Sequence, residues 1–475
     1  MLLRRATRSL LWSTAAVLLP ALAGGQGFAL NEIGSCAISR GFAATGGGCM
    51  DASLIFWNPA GAARLSGGSL LVGASAIQLN GKFVRDTTQK EFESNAPTAI
   101  VPNLFVNKAM KMSMMGKERS FALGGGVYVP YGLTSQWGDD FIGRFASKKA
   151  SLQSIYVQPN IAFDINDKWS VGGGPIYVKT DIELTQAIDL AALPTTTPGV
   201  TFANLGFAKG TEIGQVNLQT GGHTFTGTVG IMGKINDRWT VGARYLGKAR
   251  VKYRGSVATF TQTTTGLIVP STVGTIPAGT SVDALIAPQF AANGAFEPGQ
   301  QGWTEITQPD QAQIGANYKD FHDWDVEFDY QWTGWKKFKE LPVSFFRPTG
   351  APNTSLTRVL IEDYNNTSSF RLGAQHLFPS KATIRLGLAG ATQAAPEATV
   401  TPLLPEQGRS YFSVGGSYPL TSMVTVEGAY MNIQTPGRRG RTDERASRTI
   451  TASQINNGVY SLTAHILSLS LKASF

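Results

Sequence analysis

The chain has 475 residues, a formal net charge of +9, only 15% charged residues, 10% aromatics and 54 glycines. Soluble domains average about 25% charged residues and about 7% glycine, so this composition is unlike an ordinary soluble domain. The positive charge is spread too thinly for a nucleic-acid surface, the four histidines have no metal-ligand spacing, and no G-x-S-x-G nucleophile elbow occurs. No catalytic residue, metal or cofactor is therefore expected.

At the front, Arg4, Arg5 and Arg8 precede an apolar run from Leu10 to Leu22, and Ala21-Leu22-Ala23 offers a small-residue cleavage site. The run is shorter than the ~20 apolar residues of a membrane-spanning helix. Residues 1–25 are expected to be a cleaved export signal, with the mature start falling within 24–28. Residues 26–66 are glycine-rich and too long for a simple tail, and they contain the only cysteines, Cys36 and Cys49. In an exported chain this pair is expected to form a disulfide, with two buried thiols as the alternative.

From residue 67 onward the dominant signal is alternation with a period of two. In 239–254 the odd positions, Trp239 to Tyr253, are apolar with aromatics at both ends, while the even positions carry Arg244, Lys248, Arg250, Lys252 and Arg254. In 324–335, Trp324, Val326, Phe328, Tyr330 and Trp332 share one face, and Asp325, Glu327, Asp329 and Gln331 the other. An apolar face toward lipid and a charged face toward a lumen accounts for both stretches. Strands are expected at 67–83, 96–108, 119–134, 150–165, 168–184, 223–235, 238–258, 303–319, 324–340, 367–378, 381–396, 409–419, 422–434 and 459–475. That makes fourteen, an even number, as closure with both ends on one side requires. The fold class is therefore all-β: a 14-stranded antiparallel transmembrane barrel over 67–475, with 26–66 as a plug in a lumen too wide for wall side chains to fill.

The turns fit this reading. "INDKWSV" at 165–171 and "INDRWTV" at 235–241 are near copies, each read as an Asn-Asp hairpin turn that tolerates positive φ. Further short turns are expected at 378–381, at 418–421 and around His322. The glycine triplets at 124–126 and 172–174 fall inside strands, where they relieve crowding or permit bending. Residues 185–222 and 259–302 are long, nearly uncharged loops, read either as an exposed capture surface or as a lid packed on itself. Arg438-Arg439-Gly440-Arg441 falls in an outer loop, read as solvated in preference to touching anionic lipid.

Several residues occur in an order that resembles the FadL-type outer-membrane transporters of long-chain fatty acids and aromatic hydrocarbons. They are Phe28-Ala29-Leu30-Asn31-Glu32, Arg40-Gly41, Asn58-Pro59-Ala60, Val101-Pro102-Asn103 and Tyr131-Gly132-Leu133-Thr134. The likeness runs from about 28 to 475. It implies that 26–66 is a hatch, that Phe28 reaches the ligand pocket, and that Gly132 marks a kink in the third strand through which substrate leaves sideways. It also implies that Asn58, Pro59 and Ala60 lie beside that kink as part of the gate.

Where the family holds a carboxylate with basic pocket residues, the aligned positions are Leu184 and Leu360, with Lys179 nearby. This departure favours a neutral or aromatic hydrocarbon over a fatty acid, because an unpaired buried carboxylate is costly. The expected function is passive uptake of a small hydrophobic molecule across the outer membrane of a Gram-negative bacterium. The alternatives are a surface-binding protein (adhesin or phage receptor) on the same scaffold, or a porin for polar solutes. The expected partners are the hydrophobic substrate, outer-membrane lipid and, through the terminal Phe475, the barrel-assembly machinery. No nucleic acid is expected, and the protein is read as a monomer.

Overall fold

The computed structural model describes residues 27–114, 116–195, 199–440 and 457–475. The expected export signal at 1–25 lies outside the described residues, as does Arg441. Among the described residues no helix is long and apolar enough to cross a membrane. The wall consists of fourteen antiparallel staves. In chain order they begin Gly68–Arg85, Ala99–Met114, Lys117–Gln136, Lys149–Asp164, Trp169–Asp189 and Glu212–Lys234. The next four are interrupted: Trp239–Leu246 with Ala249–Gln262, Gln301–Gln308 with Gln311–Phe321, Trp324–Thr333 with Glu340–Phe346, and Arg358–Ile361 with Thr367–Leu377. Thr383–Ala391, Arg409–Pro419, Val424–Gln434 and Gly458–Ser474 complete the wall. The ring closes where the last stave pairs with the first, from Ser69↔Ser474 to Arg85↔Gly458.

Alternation sorts the side chains as the lipid and the filled lumen demand. On the last stave Leu467, Leu469 and Leu471 are exposed on the outer face while Ile466, Ser468 and Ser470 are buried. On the ninth, Phe328 faces out, whereas Glu327, Asp329 and Gln331 face in and are wholly or almost wholly buried. A membrane crossing needs about 9–11 tilted residues. The third, fifth and sixth staves have 20, 21 and 23 residues, so their upper parts stand above the bilayer.

The seventh stave departs from the expected pattern. Up to Leu246 the odd positions look outward, with Tyr245 44% exposed and Leu246 fully buried. Gly247 and Lys248 then leave the ladder opposite Pro309 and Asp310 of the eighth stave, between the pairs Gln311↔Leu246 and Gln308↔Ala249. Beyond this break Ala249, Val251 and Tyr253 are fully buried and Arg250, Lys252 and Arg254 are exposed. The continuous apolar face expected for 239–254 is thus two half-faces on opposite sides of the wall, because an irregularity resets which side chains look inward.

The two near-copy turns also work differently from expectation. Asn166 Oδ1 accepts from the N–H groups of Lys168 and Trp169, and Asn236 Oδ1 from those of Arg238 and Trp239, all at 2.9 Å. Neither Asn-Asp pair has positive φ. Asparagine is there as a side-chain cap. Positive φ does occur at Asp320, His322 and Asp323, and at Lys381.

The two apolar loops pack on each other. Leu190, Phe202, Leu205 and Ile213 from one side, and Val269, Ile276, Val282 and Ile286 from the other, form one buried cluster over the mouth. They form a lid whose apolar residues are mostly hidden.

Residues 27–65 lie inside the barrel and bond to staves around its circumference. Ser35 Oγ meets Ser468 and Ser470 at 2.9 and 2.8 Å, the Ser413 Oγ accepts from Gly41 N–H at 3.1 Å, and Asn107 Nδ2 donates to the Ala62 carbonyl at 3.1 Å. The strongest tether is ionic. Asp329 accepts from the N–H groups of Ala44 and Thr45 at 3.0 and 2.8 Å, and Glu327 from those of Gly46 and Gly48 at 2.5 and 2.6 Å. Arg40 lies 3.6 Å from Glu327, both side chains being fully buried. Cys36 and Cys49 are joined by a disulfide that closes the same loop.

Removing one partner of a buried ion pair costs about 3–5 kcal/mol, since the other charge is left uncompensated. Glu327→Ala is therefore expected to expose the Arg40–Gly48 loop to protease while the barrel keeps its heat-modifiable gel migration. Digestion at the wild-type rate contradicts this anchoring.

Candidate functional site

The ladder between the second and third staves stops partway up. It runs from Met114↔Lys117 to Leu104↔Val127 and then ends, although the third stave continues to Gln136. Contact between these two parts of the chain resumes only near the top, where Ser94 bridges Trp137 and Asn95 N–H donates to the Gln136 carbonyl at 3.0 Å. Between these limits the third stave has no strand beside it on that flank among the described residues. On its other flank the register against the fourth stave shifts between Tyr128 and Tyr131, at Val129 and Pro130. Proline has no N–H to give a ladder, so the bulge falls where a residue cannot pair. The wall therefore carries a side window bounded by a kinked stave.

The N-terminal segment fills that window. Ala29 pairs antiparallel with Tyr131, Leu30 N–H donates to the Pro130 carbonyl at 2.8 Å, and Gly132 N–H donates to the Phe28 carbonyl at 3.0 Å. A Cβ on residue 132 would stand 2.7 Å from Leu30 Cδ1, so a side chain there would have to displace the end of the Leu30 side chain. Phe28 is 3% exposed. Its ring meets Trp335 at 4.7 Å, Phe338 at 5.4 Å and Tyr131 at 6.1 Å between centroids. Trp335 and Phe338 come from the break in the ninth stave, and Tyr364, packed on both, from the break in the tenth. The interruptions of the wall thus supply the aromatic seat of Phe28.

Beside this seat lies a small cleft lined by Gly27, Leu79, Leu133, Trp137, Leu404 and Leu462, with Arg409 and Glu406 as its charged members. Arg409 donates to the Gly27 carbonyl at 3.1 Å. Glu406 accepts from the N–H groups of Ala394 and Ala395 at 3.2 and 2.9 Å. Burial raises its pKa above the usual carboxylate range, against the pull of those two N–H groups, Arg409 and Arg438. The cleft is about 70 Å³, roughly half the ~150 Å³ of an engineered cavity that binds benzene. It must widen to admit a ligand.

The structure separates residues that the resemblance placed together. Asn58-Pro59-Ala60 does not lie beside Gly132. Asn58 Nδ2 donates to the carbonyls of Thr45 and Ile231 at 3.0 Å, its Oδ1 accepts from Ala60 N–H at 3.3 Å, and Asn160 Nδ2 donates to the Pro59 carbonyl at 3.3 Å. Gly132 pairs with Gln153 on the fourth stave, so the motif touches that stave seven residues lower, about 20 Å away at ~3.3 Å per residue. Gly172 and Gly230 let it sit against the wall, since a Cβ on either would strike Pro59. Lys179 is on the outer face, its Nζ 3.8 Å from Asp181, and does not look into the lumen. Leu184 and Leu360 face inward and pack on the core near Val343, away from the cleft. Arg438 and Arg439 reach Glu406 at 3.5 Å and Asp86 respectively and are part of the mouth. Trp335, Phe338, Tyr364 and Arg409 were missed; the T-G-W step at 333–335, which interrupts the alternation, is the one signal that pointed to the first two.

An apolar outer belt, a filled lumen and a closed ring of fourteen staves define an outer-membrane β-barrel of a Gram-negative bacterium. The chain belongs to the family described as outer membrane protein transport protein (OMPP1/FadL/TodX), whose model matches residues 16–475. It is 24% identical to outer membrane protein P1 of Haemophilus influenzae, covering all of both chains. It is also 24% identical to the long-chain fatty acid transport protein of Escherichia coli O6:H1, over 89% of this chain and 90% of that one. Among solved structures, a FadL homologue of Pseudomonas aeruginosa superposes with a TM-score of 0.75 at 19% identity, over 95% of this chain and all of that one. The toluene transporter TodX of P. putida superposes at 0.63 and 16% identity, over 94% and 99%. These superpositions establish the shared fold.

Gly132→Ala is expected to loosen the Phe28–Leu30 pairing, speeding amide exchange at Leu30 and Gly132 about tenfold, or ~1.4 kcal/mol of local opening. Adding Leu30→Ala should restore slow exchange. Equal rates in all three proteins would remove the steric role of Gly132.

Proposed function

We propose that the protein carries small hydrophobic molecules passively across the outer membrane, and that they leave sideways through the window between the second and third staves. The observation that carries this reading is that the window is closed by Phe28–Leu30, a separate segment held there by two backbone hydrogen bonds and an aromatic seat. Undoing so few bonds opens the wall without dismantling a ladder. An apolar molecule in the cleft then has lipid as its nearest favourable phase, at about 25 cal/mol per Å² of apolar surface withdrawn from water. Residues 26–66 act as the hatch, with the anchored Arg40–Gly48 loop as its fixed part and Phe28–Leu30 as its movable part. The mouth loops, packed on each other as a lid, part to let substrate reach the cleft. No reaction and no energy source are involved.

Arg409 on the cleft wall also revises the substrate preference. The expectation of a neutral hydrocarbon rested on Leu184 and Leu360, which lie elsewhere, whereas the cleft holds a guanidinium, Arg409, that a substrate carboxylate could share with the Gly27 carbonyl and Glu406. The relatives named for long-chain fatty acid transport support that choice, and the toluene transporters of the same fold define the alternative.

A covalent lock tests the route. Ala29 and Tyr131 form a non-hydrogen-bonded antiparallel pair, with Cα atoms about 4.5 Å apart, so cysteines at both positions can bridge. In cells carrying Ala29→Cys with Tyr131→Cys, uptake of labelled hexadecanoate is expected to fall to the level of cells lacking the gene and to return on reduction. Reduction of the wild type serves as the control. Uptake that persists in the oxidised variant refutes lateral exit. Toluene supplied in parallel decides the substrate: uptake of toluene alone would restore the neutral reading.

A further inference from the structure

The break in the seventh stave leaves a feature that uptake does not use. Below it, Tyr245 is the last outward aromatic of that stave, and on the neighbouring staves Tyr177 and Phe225, 5.4 Å apart, close the upper aromatic rim. Above the break, Lys248, Arg250, Lys252 and Arg254 are exposed, three of them on alternate positions of the outer face. Lys179 on the fifth stave extends the row sideways. The inversion of the stave at Gly247–Lys248 is what turns these cations outward, directly above the apolar belt.

The acidic groups on the same face are few. Glu305 pairs with Arg250, Asp181 lies 3.8 Å from Lys179, and Asp310 is taken by Lys337 at 2.5 Å and by the Tyr245 hydroxyl at 2.8 Å. Among the described residues Lys248, Lys252 and Arg254 make no ion pair within 4 Å, although Glu305, already held by Arg250, stands across the ladder from Lys252. Arg254 instead lies over the Trp303 ring, 5.2 Å from its centroid, which holds the guanidinium against the wall and aims it along the surface. An arginine so placed, with a lysine two residues below, suits a phosphate monoester better than a diffuse field does, because guanidinium binds phosphate oxygens in pairs.

We propose that this row docks the phosphate groups of the phosphorylated glycolipid that makes up the outer leaflet around the barrel. The height fits: acyl chains would lie on the apolar belt below Tyr245, and the headgroup phosphates would stand at Arg250–Arg254. The contact would hold a boundary lipid on the seventh and eighth staves, five staves round the ring of fourteen from the window between the second and third.

The test uses the full-length protein in detergent with labelled lipopolysaccharide, intact or enzymatically stripped of its lipid A phosphates. The wild type is expected to retain the intact lipid about tenfold more than Lys252→Glu with Arg254→Glu, and to lose that advantage with the stripped lipid. Lys111→Glu, on the opposite rim, should behave as the wild type. All three proteins must keep heat-modifiable migration, which these exposed positions permit. Equal retention by the wild type and the double variant overturns the proposal. So does equal retention of intact and stripped lipid, or competition by inorganic phosphate at the lipid's own concentration.

Discussion

The burial of Glu327 and Asp329 against the Arg40–Gly48 loop is the constraint on which the rest depends. Two carboxylates are removed from water in the middle of a membrane protein, a state that is tolerable only because four backbone N–H groups and Arg40 surround them. That arrangement anchors the lower and central part of the N-terminal segment, and the Cys36–Cys49 disulfide holds the loop that presents those N–H groups. A segment fixed at its middle can leave its first residues free for another task. Phe28–Leu30 are held on the third stave by two backbone hydrogen bonds and ring contacts alone, and the proposed gate rests on the contrast between the two attachments.

The interruptions of the wall serve both ends of this design. At Gly334–Lys339 the ninth stave leaves the ladder to send Trp335 and Phe338 inward, where they seat Phe28. The tenth contributes Tyr364 in the same way. At Gly247–Lys248 and Pro309–Asp310 the break turns the upper seventh and eighth staves over, so that Val251 and Tyr253 line the interior. Breaks in adjacent staves fall side by side because a strand that leaves the ladder strands its neighbour's hydrogen-bonding groups, and buried backbone groups must be paired.

Much of this fold was legible in the chain. A period of two over long runs defined fourteen strands, and the outward Leu467, Leu469 and Leu471 sit where the alternation put them. Glu327 and Asp329 were legible as lumen-facing residues, though their partners were not, since the backbone N–H groups of Ala44, Thr45, Gly46 and Gly48 carry no side-chain signal. The inversion beyond Leu246 was invisible because both halves of 239–254 alternate without a phase error in the sequence itself. The site was less legible than the fold. Asn58-Pro59-Ala60 and Gly132 were linked by order along the chain, but order does not encode height on a barrel, and about 20 Å of wall separates them. Arg409 stands in an ordinary strand start, and only the approach of Gly27 to it makes a cleft.

Everything proposed for this barrel turns on the direction in which a hydrophobic molecule leaves it. The most direct measurement is photo-crosslinking of a long-chain fatty acid bearing a diazirine along its tail, followed by mapping of the labelled residues. Lateral exit places labels on Leu133 and Thr134 inside the window and on Ile100 and Pro102 at its outer edge. Labels along the lower lumen around Arg64, with none at the window, would contradict it.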